Sequence, residues 1–453
     1  MQFKPVPVSA DVGFSDNVDL FGYKQFGDRL TNVISSLEQP TTLVLDGPWG
    51  SGKSTFLRQW VADLRKDKHP VILFDAFASD FFDDAFIPLS AEILKLTESR
   101  VPKRSRFSKI AKESTARALK VIAPITAKAG VRIMSLGMLD YADIKEGAES
   151  ISETLSHAFG DVAEQAAINA IENAMEQQGV LDKFRSDIEA LVTQYQKERS
   201  KDNLPNCPVL FVIDELDRCK PTFALNLIER IKHLFEINGV VFLLVTNLKQ
   251  MRAAVRGAYG ESTDAATYLE KFYDLRLTLP VLRLESRIEA YVNYLQDHLS
   301  ITTGDSHSDM AINDMLIGFF TSHKIELRSI ERIHAHLLVN TRSLAKNQLK
   351  LAPLIAGLCI LRHLRPELFD DALEGKLMWK EVSEFFQFEQ WAKSRSYEWF
   401  ANWWRYLTDP ELESDNKVAE DMRRSISQYN IRDSRELLKW GARRVVEFDI
   451  LPS

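Results

Sequence analysis

The sequence predicts an α/β fold. A central parallel sheet presents a phosphate-binding loop and a pair of acids at its strand ends, is broken by an all-helical insertion, and is followed by a helical lid and a helical C-terminal region. Three stretches predict it. Residues 42–55, TLVLDGPWGSGKST, run from Leu43, Val44 and Leu45 through Asp46 into the pattern G-x-x-x-x-G-K-[ST]. Residues 208–213 are continuously apolar and end in Asp214 and Glu215, as a buried parallel strand delivering acids to one edge does. Residues 240–245 are a third apolar run, ending in Thr246 and Asn247.

At 453 residues and 45% hydrophobic, the chain can fill more than one core. Its net charge of −7 argues against wholesale nucleic-acid binding, so an anionic partner needs a local patch. Cys207, Cys219 and Cys359 lie far apart with no metal-ligand spacing, and read as buried thiols in a reducing, cytoplasmic setting. The N-terminus lacks the basic-then-apolar order of a secretory signal, and no apolar run approaches the roughly 20 residues a spanning helix needs. The expectation is a chain without a transmembrane segment.

Five regions are expected in order: the first part of the core (1–98), the helical insertion (99–203), the second part of the core (204–282), the lid (283–350) and an aromatic-rich C-terminal domain (351–453). In residues 19–37, Tyr23, Phe26, Leu30, Val33, Ile34 and Leu37 recur at helical spacing just before the phosphate loop. Two readings of Tyr23 stand side by side, a contact for a nucleotide base or part of an amphipathic helix under the sheet.

The loop comprises Gly47, Pro48, Trp49, Gly50, Ser51, Gly52, Lys53, Ser54 and Thr55. It is expected to aim successive N–H groups at a polyphosphate, with the next helix presenting its positive end. Lys53 is then the cation for the β- and γ-phosphates, and the Ser54 hydroxyl a magnesium ligand. Phe56, Leu57, Trp60, Val61 and Leu64 mark the buried face of that helix. A second strand at 71–74 leads to Asp75, which either orders water or magnesium or caps the next helix, the cap being favoured.

Between residues 100 and 120 the cations Arg100, Lys103, Arg104, Arg106, Lys109, Lys112, Arg117 and Lys120 face a single acid, Glu113. This basic stretch is either a nucleic-acid or membrane contact or, more simply, a solvated face. A long helix is expected over 151–196. At the acidic strand end Asp214 is expected to hold magnesium, and Glu215 to act as general base or water positioner. Asn247 reads as a sensor of the γ-phosphate or as a helix cap, with the sensor preferred. Guanine recognition commonly uses N-K-x-D; here the strand ends at Asn247, Leu248, Lys249 and Gln250, and the other Asn-Lys pair, Asn416 and Lys417, also lacks the Asp. ATP is therefore expected.

Helices are expected at 284–299, 310–320 and 327–338, with Arg328 opening the last as a lid cation or a plain surface arginine. Trp399 with Trp403, and Phe400 with Trp404, place aromatics on two helix faces, which suits burial of both or one face for a partner.

Trp49 within the loop, Phe74 to Phe77 after the second strand, Ile213 to Arg218, and Tyr268 to Leu275 ahead of Leu279 and Pro280 together resemble the KAP family of P-loop NTPases over residues 19–338. The resemblance implies a P-loop NTPase core of the additional-strand class, akin to AAA+ and signalling NTPases, in which Lys53, Ser54, Asp214 and Glu215 carry ATP and Mg2+ binding and hydrolysis. Family members often place membrane-spanning helices in the insertion, which is charged here, and commonly read Phe-Asn-Ala-Trp where this chain has Asp75 and Phe77. Bacterial relatives imply a link to phage exclusion and defence. The leading expectation is an ATP-driven cytosolic switch in a homo-oligomer or a hetero-complex with an effector. The alternatives are a nucleic-acid-stimulated motor using the basic stretch, and a scaffold with structural ATP.

Overall fold

Four apolar runs, too short for helices and buried on both faces, pair with one short exposed edge strand into a single parallel sheet. The strands are β1 (Thr41–Asp46), β2 (Val71–Asp75), β3 (Val209–Asp214), β4 (Val240–Thr246) and β5 (Leu275–Thr278). This is a computed structural model that describes residues 13–15, 19–101, 105–128, 161–280, 284–343, 351–391, 397–412, 420, 423–424 and 433–447. The strand order is β2-β3-β4-β1-β5, and every pairing is parallel. All carboxyl ends therefore lie on one edge, with Asp75 beside Asp214 and Asp46 beside Thr246 in register. β4 neighbours β3 and separates it from β1. The sequence gives no sign of β5, an edge strand of four half-exposed or exposed residues without an apolar run.

Because side chains alternate across a strand, each apolar run feeds two cores. Leu43, Leu45, Leu210, Val212, Val241 and Leu243 face one side; Val44, Ile72, Phe211, Ile213, Phe242 and Leu244 face the other.

The first side is covered by α1 (Lys24–Ser35) and α2 (Lys53–Lys66). Phe56, Leu57, Trp60, Val61 and Leu64 are all buried, as their spacing predicts. Gly27 lets α1 approach α2 closely: the Trp60 indole donates to the Gly27 carbonyl at 3.1 Å and to Thr31 Oγ1 at 2.9 Å. Val33, expected on the buried face, is instead 46% exposed.

The second side carries α3 (Phe86–Glu98), α4 (Arg106–Lys128), α5 (Asp161–Lys201), α6 (Pro221–Arg230), α7 (Leu248–Tyr259) and α8 (Ala265–Glu270). The insertion is helical where described. Ala111, Ala118 and Ile122 of α4 share a core with Phe184, Ile188, Leu191 and Val192 of α5. The long helix is described over Asp161–Lys201, and its expected start at 151 lies among residues 129–160, outside the described ones. A buried ion pair, Asp84 Oδ2 to Arg230 Nη2 at 2.6 Å, ties the start of α3 to the end of α6. Cys207, Cys219 and Cys359 are free thiols. Burial pushes Cys359 up to about 12, and burial with neighbouring acids does the same to Cys219.

Beyond the sheet come α9 (Leu284–Leu299), α10 (Ser306–His323), α11 (Leu327–Arg342), α12 (Ala352–Leu364), α13 (Pro366–Glu374), α14 (Trp379–Phe386), α15 (Tyr397–Thr408) and α16 (Ser434–Glu447). The lid and C-terminal helices share the core of the first side. α12 is buried from Ala352 to Leu361, so its neighbours wrap around it. Both aromatic faces of α15 are packed, since Phe400, Trp403 and Trp404 are buried and Trp399 is half-buried against them.

Gly357 in α12 is where that packing is tightest, because an added Cβ would lie 2.2 Å from Trp404 Cζ2. Alanine in a helix ordinarily gains about 1 kcal/mol over glycine, whereas overpacking a filled core costs about 1–3 kcal/mol. Gly357→Ala is therefore expected to lower the urea midpoint, and an unchanged or raised midpoint would show that Trp404 moves aside freely.

Candidate functional site

The phosphate loop leaves β1 at Asp46 and is pinned to β4 by the Gly47 N–H donating to the Thr246 carbonyl at 3.2 Å. Gly50 and Gly52 take φ of +77° and +88°, the left-handed region where a side chain is strained. The turn delivers Lys53 as the first residue of α2. Its ammonium donates to the Gly47 carbonyl and, at 3.0 Å, to that of Pro48. Lys53 is only 9% exposed. Burial pushes its pKa below the ordinary lysine value, opposed by Asp217, Asp214 and Asp46 and reinforced by Arg218. Such a cation, held by neutral carbonyls with acids at longer range, is completed by an anion. Two hydroxyls beside it, Ser51 Oγ in the loop and Thr246 Oγ1 at the end of β4, are buried without a hydrogen-bond partner. These orphans fit a bound polyphosphate.

Asp214 closes the other side. Its Oδ1 accepts from the Glu215 N–H at 2.9 Å and from Ser54 Oγ at 3.4 Å. Burial raises the Asp214 pKa, and those two hydrogen bonds oppose the rise. A hydroxyl and a carboxylate side by side are hard oxygen donors that fit Mg2+, which takes one or two carboxylates plus phosphate oxygens. Among the described residues no group of three or more His, Cys, Asp or Glu could hold a metal. Glu215 comes next at φ +59°, and its Oε2 accepts from Arg218 Nη1 at 2.7 Å. Burial raises its pKa, against the effect of Arg218 and with that of Asp214 and Asp75.

Several expected residues meet here and others are used differently. Lys53, Ser54, Asp214 and Glu215 converge, with Gly47, Pro48, Trp49, Gly50, Ser51, Gly52 and Thr55 forming the loop and first helical turn. Tyr23 is 3% exposed and lies beneath the loop: its hydroxyl is 3.5 Å from the Ser51 carbonyl, its ring packs edge-on against Phe56, and Arg287 lies over its other side. That position supports the loop from below. Asn247 Oδ1 accepts from the Lys249 N–H at 3.1 Å and so caps α7. Asp75, expected to cap the helix over 85–96, instead accepts from the Ala78 N–H at 2.8 Å and closes the short turn Phe77–Ser79, while α3 begins after Ala85. Arg328 is exposed at the start of the lid helix beside the loop, since a Cβ on Gly50 would lie 3.5 Å from Arg328 Cβ and 3.4 Å from Glu326 Cβ. The start of α11 thus rests on the phosphate loop.

Two contacts had no sequence signal. Asp46 accepts from the Leu248 N–H at 2.9 Å and from Arg276 Nη2 at 2.5 Å, which clamps β1, α7 and β5 below the loop. The Trp49 indole donates to Asp217 Oδ2, joining the loop to the turn after β3. The basic stretch is partly neutralised: Arg100 pairs with Asp202, Lys112 with Glu98 at 2.5 Å and Arg117 with Glu113 at 3.4 Å. Arg106, Lys109 and Lys120 are exposed on α4, and Lys103 and Arg104 lie outside the described residues. Among the described residues no helix is long and apolar enough to cross a membrane.

A family model described as KAP family P-loop domain matches residues 23–344, more than two thirds of the chain, from Tyr23 beneath the loop to the end of α11. No curated protein matches the chain.

Proposed function

Because the chain belongs to the KAP family of P-loop NTPases, we propose that it binds ATP with Mg2+ at this edge of the sheet, hydrolyses it, and uses the cycle to move the lid. The observation that carries the reading is the meeting of Ser54 and Asp214, 160 positions apart in sequence, at 3.4 Å beside the buried Lys53. Lys53 would leave the Gly47 and Pro48 carbonyls for the β- and γ-phosphates, exchanging neutral partners for an anion. Ser54 and Asp214 would hold the metal, which supplies charge neutralisation across the phosphate oxygens. Glu215 would orient the attacking water and draw its proton.

The lid is the proposed output. Glu326 and Arg328 sit against Gly50, so a seated triphosphate meets the start of α11 directly, and Arg328 brings a cation to it. Displacing α11 moves helices that share its core, and through them any surface the C-terminal helices offer a partner. We assign the second copy or effector of such a complex to this lid-driven surface.

Purified full-length chain is expected to release phosphate from ATP in Mg2+, to stop on addition of EDTA and to resume when Mg2+ is restored. A chain that binds ATP tightly and releases no phosphate would overturn the hydrolytic part and leave nucleotide as a structural ligand.

A further inference from the structure

The turn Leu216–Arg218 makes two contacts that the nucleotide-binding roles above leave unused. Arg218 Nη1 lies 2.7 Å from Glu215 Oε2, with the two side chains 34% and 19% exposed. Asp217, one residue earlier, accepts from the Trp49 indole on the phosphate loop. One side of the turn therefore holds the proposed water-positioning carboxylate, and the other holds the surface on which phosphates would lie.

The geometry of Glu215 makes this pairing consequential. Its left-handed backbone, φ +59°, is a conformation that costs a non-glycine residue about 1–3 kcal/mol and is retained where the surroundings impose it. The Arg218 N–H closes the turn by donating to the Glu215 carbonyl at 3.1 Å, so backbone and side chain of Arg218 both fix this residue. The guanidinium turns the Glu215 carboxylate toward Arg218 and fixes Oε2 there, so the group is held by the turn instead of being aimed at a water above the loop. The same guanidinium is close enough to Lys53 to push the lysine pKa down, which places it in the field that a terminal phosphate would enter. Guanidinium binds phosphate oxygens in a two-pronged fashion and with more charge to meet than one carboxylate offers.

We propose that Arg218 is a triphosphate-sensing positioning residue: it holds Glu215 until a terminal phosphate seats on the loop, then exchanges the carboxylate for that phosphate and frees Glu215 for water. This rests on reading the site as one for ATP. The exchange makes no covalent bond, and total charge is unchanged within the site apart from that of the arriving nucleotide. Trp49 and Asp217 keep the turn in register with the loop, so an ADP that stops one phosphate short leaves the Arg218–Glu215 pair closed.

The test is calorimetric titration of the full chain with a non-hydrolysable ATP analogue and, separately, with ADP, both with Mg2+. For Arg218→Ala, affinity for the analogue is expected to fall about tenfold, the scale of one charge-assisted contact, while ADP affinity stays within about twofold. Glu215→Gln, which removes the competing carboxylate charge, is expected to tighten analogue binding, and the gain should vanish when Arg218→Ala is added, as coupled neighbours require. Arg218→Gln serves in place of the alanine variant if the latter does not fold. Equal losses for ADP and analogue, no loss for either, or a Glu215→Gln gain that survives without Arg218 would overturn the exchange. A wild-type chain that binds neither nucleotide would instead overturn the ATP reading itself.

Discussion

Lys53→Ala is expected to lower ATP turnover roughly a hundred- to a thousandfold, the range seen when one preorganised donor to developing charge is removed. The reason lies in how the side chain is held. Lys53 is buried, hydrogen-bonded to two loop carbonyls, and surrounded at longer range by Asp46, Asp214 and Asp217. No other lysine or arginine begins α2, so alanine leaves the β- and γ-phosphates facing carboxylates without their nearest counter-charge.

Stability should respond in a different way. A lysine whose folded pKa is depressed binds its proton less readily in the folded chain than in the unfolded one, so at neutral pH its charge opposes folding. The variant should melt at or slightly above the wild-type temperature. Phosphate release and thermal melting measured together separate these effects, and turnover equal to wild type would remove Lys53 from the chemistry.

Glu215→Gln is expected to reduce turnover by about 10²–10⁴, the range for loss of a general base, while ATP binding is retained. Glutamine keeps the size and the left-handed backbone position, and it still reaches water, but it cannot accept a proton. The ion pair with Arg218 is lost at the same time. With the side chains 34% and 19% exposed, that pair is screened and contributes no more than about 1 kcal/mol. Collapse of the fold is therefore not the expected cause of any loss. Single-turnover phosphate release with a parallel binding measurement tests this. Loss of binding in step with turnover would mean that Glu215 holds nucleotide instead of water.

Much of the frame is legible in the sequence because its signals are local. Continuous apolar runs ending in polar residues mark β1, β3 and β4, and the loop pattern between β1 and α2 marks the phosphate site. The 3.6-residue period identifies the buried face of α2, every member of which is buried. β5 escapes because Leu275 to Thr278, half-exposed at a sheet edge, shows neither period. Val33 is misplaced because helical spacing gives the faces of α1 but not which neighbour covers each. Tyr23 and Asn247 carry two readings apiece in the sequence, and the structure turns the first under the loop and the second onto the Lys249 N–H.

The sequence by itself determined which residue types occupy strand ends, which helix faces are apolar, and that Lys53, Ser54, Asp214 and Glu215 have the chemistry for a metal-bound triphosphate. Only the tertiary structure decided that β4 lies between β1 and β3, that Arg276 clamps Asp46, that Trp49 meets Asp217, and that α11 brings Glu326 and Arg328 against Gly50. The physical reason is range. Periodicity and turn chemistry act over a few residues, whereas these contacts join segments from about thirty to more than two hundred residues apart, and their geometry is set by the paths of the crossover helices and by the packing of two cores on opposite faces of the sheet.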